Sequence, residues 1–122
     1  MTKPYQPIRN AQSREVPLRG GHLHLWHWSG DEPPSAAQPL LVMGHGWMDV
    51  GASFQFLVDA LDARRHVVAL DWRGFGLTRM PEVDCYWFPD YLADLDALLA
   101  ELAPDTRVDL LGHSMGGNIV MA

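Results

Sequence analysis

Cysteine and lysine each occur once in this chain, as Cys85 and Lys3. A lone cysteine excludes an internal disulfide and predicts a reducing compartment, the cytoplasm. With one lysine, scattered arginines and a formal net charge of −6, no cationic face is available for nucleic acid or an anionic membrane surface. Long apolar runs are missing as well. The longest, such as residues 39–43, fall far short of a bilayer's thickness. The opening Met-Thr-Lys-Pro-Tyr-Gln-Pro has none of the apolar stretch of a signal peptide. Internal repeats and low-complexity segments are also lacking.

What is present is globular material. The 122 residues are 48% hydrophobic, enough for one domain with a modest core. Residues 1–13 hold two prolines and no periodicity and read as an irregular arm, followed by a domain over 14–122. Residues 15–18 and 23–28 flank Arg19-Gly20-Gly21-His22, the pattern of a β-hairpin. A His22/His24 metal pair lacks a carboxylate or cysteine partner in the sequence nearby, so these histidines read as solvated or core-edge and no metal is expected. Residues 31–38, with Pro33 and Pro34, read as a loop.

Three apolar strands follow, at 39–43, 66–70 and around 108–111. Between them lie two helical patterns. In the first, Ser53 resembles an N-cap ahead of Phe54, Leu57, Val58 and Leu61. In the second, Pro89 opens a helix with Tyr91, Leu92, Leu95, Leu98, Leu99 and Leu102 on one face, and Asp90, Asp94 and Asp96 mostly on the solvated side. Cys85 reads as incidental, near that helix start. Apolar strands alternating with amphipathic helices predict an α/β fold, a mostly parallel sheet covered on both faces with an antiparallel hairpin at its start. Ligand chemistry in such sheets gathers beyond the carboxyl ends of the strands. The Gly-rich segments after Met43, Leu70 and Leu111 all fall there.

The last of these segments is Gly112-His113-Ser114-Met115-Gly116, a G-x-S-x-G motif followed by Gly117. At average Gly and Ser usage a chance match in a chain this long is expected about 4% of the time, too often for the motif to stand alone. Its setting adds weight. An apolar strand precedes it and a helical pattern follows, so the serine sits on a sharp strand-to-helix turn that lifts its hydroxyl from the sheet. To attack a carbonyl, Ser114 needs a base, a group orienting that base, and donors for the developing oxyanion. The backbone N–H groups of Met115 and of Trp47, in Gly44-His45-Gly46-Trp47, are the candidate donors.

Taken with Asp71-Trp72-Arg73-Gly74-Phe75-Gly76-Leu77-Thr78, these segments resemble the N-terminal half of an α/β-hydrolase of the His-Gly-x oxyanion type. The resemblance implies a partial α/β-hydrolase fold, Ser114 as catalytic nucleophile, and Trp47 and Met115 N–H groups as the oxyanion hole. Gly44, His45, Gly46, Gly112, His113, Gly116 and Gly117 are its supporting loop residues. It implies no cofactor. The Asp71 segment takes a structural role, with Arg73 tying the loop down, and Asp71 is not the expected acid. A serine nucleophile sets aside the haloalkane dehalogenase and epoxide hydrolase branches. Ester, thioester or amide hydrolysis is left, together with cofactor-free haloperoxidase and carbon–carbon bond hydrolase chemistry. Trp47, Trp72 and Trp87 suit either an apolar acyl site or buried packing.

The triad order of this fold is Ser, then Asp or Glu, then His. Residues 115–122 contain none of these acids and no histidine, so the chain reads as truncated and inactive alone. Its expected partner is a small ester-like substrate in the complete enzyme. Its last strand, left as an apolar edge, is expected to pair with a complementing chain or a second copy.

Overall fold

The computed structural model describes residues 2–61 and 65–122. Met1, part of the expected arm, lies outside the described residues. Five strands form one sheet in the order β1-β2-β4-β3-β5. They are β1 Gln12–Leu18, β2 Gly21–Trp28, β3 Leu40–Gly44, β4 Val67–Leu70 and β5 Val108–Gly112. A 3-10 turn (Gly51–Phe54) leads into α1 (Gln55–Ala60), and α2 spans Phe88–Leu102 and α3 Met115–Met121.

The hairpin forms as the sequence predicts. Arg19 (φ 47°) and Gly20 (φ 82°) make a two-residue turn, and positive φ at both central positions matches the twist of the flanking strands. β2 then joins the sheet antiparallel to β4, while β3 pairs parallel with both β4 and β5. The sheet is therefore mixed, with its parallel part at β4-β3-β5.

Helices cover both faces. Val58 of α1 packs with Trp28, Leu41, Met43, Val67 and Ala69 on one side. Tyr91, Leu95 and Leu98 of α2 and Ile119 of α3 pack with Leu23, Leu25, Val42 and Leu70 on the other. The chain thus leaves β3 toward one face and β5 toward the opposite face. Adjacent parallel strands whose connections diverge leave a crevice between their carboxyl ends. In this sheet it lies between the loop after Gly44 and the turn after Gly112.

Several expectations are corrected. The arm ends sooner, since β1 begins at Gln12, and it is fastened. Asp59 of α1 accepts the Arg9 N–H (2.9 Å) and the Tyr5 hydroxyl, and the Arg9 guanidinium donates to the carbonyls of Ser29 (2.9 Å) and Arg65 (2.7 Å). Ser53 is no N-cap. It lies inside the 3-10 turn and its hydroxyl donates to Asp49. Asp94 is fully buried rather than solvated, and His24 is only 1% exposed. Among the described residues no helix is long and apolar enough to cross a membrane.

Candidate active site

Ser114 joins β5 to α3 with φ 54° and ψ −116°. This backbone region costs a non-glycine residue about 1–3 kcal/mol and persists only where the surroundings impose it. Here they do. His113 N–H donates to Gly44 O (3.0 Å), Gly116 N–H to His113 O (3.0 Å) and Asn118 N–H to Ser114 O (3.1 Å). The Ser114 side chain is exposed, and no hydrogen bond ties its hydroxyl to another described residue.

Gly46 brings the loop after β3 against this turn. A Cβ on Gly46 would stand 3.3 Å from Ser114 Cβ and 3.1 Å from His113 Nδ1, so a side chain there would crowd the serine. Gly44 ends β3 beside the Trp72 ring, Gly112 ends β5 against Gly116, and Gly116 and Gly117 form the first turn of α3.

His45 is fully buried and acts as a bracket. Trp72 N–H donates to His45 Nε2 (2.9 Å), so the proton sits on Nδ1, which donates to Gly46 O (2.7 Å). The Trp72 indole N–H returns a bond to His45 O (2.9 Å). Burial lowers the His45 pKa, opposed by the Gly46 hydrogen bond, and with both ring nitrogens engaged His45 cannot serve as a base for Ser114. His113 is exposed. Beyond Trp47, Met48 adopts φ 56°. Asp49 then fastens the loop by accepting Val50 N–H (2.8 Å) and the Ser53 hydroxyl, and its pKa is lowered, chiefly by that hydroxyl.

The segment after β4 buttresses this loop. Phe75 packs edge-on against both His45 (5.5 Å between ring centres) and Trp47 (5.1 Å). Its own loop is anchored by Arg73, whose Nε and Nη2 donate to the two oxygens of buried Asp94 (2.8 and 2.9 Å). Asp71 is a structural hub. It accepts Gly51 N–H (2.8 Å) and Leu77 N–H (3.0 Å) and holds His24 Nδ1 at 2.9 Å. Trp72 is fully buried and cannot line a substrate site, whereas Trp47 is 59% and Trp87 64% exposed.

Sequence reasoning missed Asp49, Asp94 and the His24–Asp71 pair. Asp94 had a readable signal, since it shares the helical phase of Tyr91, Leu95 and Leu98. Neither Trp47 N–H nor Met115 N–H donates to an acceptor among the described residues. Among these residues no group of three or more potential ligands could hold a metal ion.

Residues 39–122 match the family described as alpha/beta hydrolase fold. A serine hydrolase-like protein of Danio rerio is 35% identical over 112 residues, covering 91% of this chain and 32% of that protein. Among solved structures, an alpha/beta hydrolase from Novosphingobium aromaticivorans matches with TM-score 0.80 and 26% identity, over 93% of this chain and 39% of the other. Epoxide hydrolase A from Mycobacterium thermoresistibile matches with TM-score 0.74 and 30% identity, over 91% and 34%. The chain spans less than half the length of the curated relatives it first matches.

Proposed function

The chain belongs to the alpha/beta hydrolase fold family, and on that premise we propose that it carries the nucleophile and oxyanion hole of a cytoplasmic serine hydrolase acting on ester-like bonds. Ser114 Oγ attacks the carbonyl carbon, and the Trp47 and Met115 N–H groups receive the oxyanion. The supporting observation is the backbone of Ser114, bent to φ 54° and ψ −116° directly beside Gly46. Two amides that donate to no acceptor among the described residues, those of Trp47 and Met115, belong to that turn and to the loop after Gly46, as an oxyanion site requires. A serine here, where the epoxide hydrolase branch uses an aspartate, favours an acyl-enzyme route. The lone cysteine is the ground for the cytoplasm.

Among the described residues no histidine or carboxylate bonds to the Ser114 hydroxyl, so these residues supply it with no general base. The isolated chain is therefore expected to be inactive in turnover. β5 lies at the edge of the sheet with Leu110 37% exposed, and this edge is where a complementing chain or a second copy would pair. The exposed ring of Trp47 gives the acyl group an apolar wall.

A fluorophosphonate probe, with the adduct located by peptide mass spectrometry, tests the assignment. In a polypeptide that continues through a downstream acid and histidine, label is expected on Ser114. Labelling of that polypeptide elsewhere, with Ser114 untouched, removes it.

A further inference from the structure

A second serine in this chain, far from Ser114 in sequence, stands at the head of a relay of its own. Ser13 Oγ lies 2.6 Å from His24 Nε2, and His24 Nδ1 lies 2.9 Å from Asp71 Oδ2. Asp71 also accepts two backbone N–H groups. The ring proton of a neutral His24 therefore belongs on Nδ1, facing the carboxylate, and leaves the Nε2 lone pair toward Ser13. This is the tautomer a general base needs.

His24 and Asp71 are each 1% exposed, while Ser13 is open to solvent on the edge strand. Trp26, the cross-strand partner of Ser13, is half-buried and packs edge-on against the His24 ring at 4.8 Å. It fixes the imidazole and sets an aromatic surface beside the hydroxyl.

We propose that Ser13, His24 and Asp71 form a second acyl-accepting site, independent of Ser114, that takes small activated aryl esters. Ser13 Oγ bonds to the acyl carbon and its proton passes to His24 Nε2. The carbon–oxygen bond to the aryl group then breaks, the phenolate leaves and takes up that proton, and acyl-Ser13 remains.

The 122-residue chain treated with p-nitrophenyl acetate tests this, read by mass spectrometry of tryptic peptides. Ser35, exposed and without a histidine bonded to it, is the reference within the same molecule. Acetyl is expected on residues 10–14, on Ser13, roughly 10²-fold faster than on Ser35, the scale of a positioned general base. His24→Gln is expected to bring Ser13 to the Ser35 rate. Acetylation of Ser13 no faster than that of Ser35 in the unmodified chain overturns the proposal, as does an unchanged Ser13 rate in a folded His24→Gln chain.

Discussion

Gly116 and Gly44 meet backbone to backbone: a methyl group on Gly116 would overlap the Gly44 carbonyl oxygen. The first turn of α3 is thereby pressed onto the end of β3, and the turn carrying Ser114 is brought against the loop carrying Trp47.

Gly116→Ala forces these backbones apart. Because the obstruction is main chain rather than a movable side chain, the cost is expected at or above the usual range for overpacking, about 3 kcal/mol. A urea midpoint should fall accordingly, and an unchanged midpoint would show that α3 is free to shift.

Asp94 carries two arginines. Arg73 is buried against it, whereas the Arg19 side chain is 35% exposed and bonds at 2.8 Å. Asp94→Ala leaves a buried guanidinium without its carboxylate and is expected to cost about 3–5 kcal/mol. Arg19→Ala is expected to cost about 1 kcal/mol or less, as solvent-screened pairs do. Thermal or urea unfolding of both variants reads the ranking; equal losses would contradict it.

Stability is expected to fall with acidity below about pH 6.5. Burial lowers the pKa values of both His45 and His27 in the folded chain from 6.5. Between that value and the lowered ones the unfolded chain binds more protons, so unfolding becomes easier as pH drops through the window and is unaffected by these groups above it. His27 Nε2 lies 3.1 Å from His66 Nδ1, and Arg14 Nη1 lies 3.3 Å from His27 Nδ1. With the arginine donating to Nδ1, protonating His27 breaks that contact. His27→Gln should flatten part of the loss between pH 7.5 and 5.5 in urea midpoints, and an undiminished slope would exclude His27 as a contributor.

The strands, the hairpin turn and the Ser114 turn were legible because each is local. Arg19-Gly20 dictates its turn, and an apolar run followed by G-x-S-x-G dictates a strand and a bend. The misread residues depend on partners distant in sequence. Its charge alone puts Asp94 on the solvated side, although Arg73, 21 positions away, neutralises it in the core. His24 lies between Leu23 and Leu25, and in a sheet covered on both faces alternation no longer tells which side is wet. Ser53 had the chemistry of a cap, but Asp49 takes its hydroxyl and the 3-10 turn starts earlier, at Gly51.

Phenylboronic acid probes the site without a histidine base, because boron accepts the serine oxygen directly while the serine proton is released to the buffer, and the resulting tetrahedral boronate anion sets one of its hydroxyl oxygens where an oxyanion would form. In the amide NMR spectrum of the 15N-labelled chain, the Trp47 and Met115 signals should move together on titration and stay fixed in Ser114→Ala. Signals that do not move at saturating boronate, or that move equally in Ser114→Ala, would contradict a Ser114 hydroxyl facing those two amides.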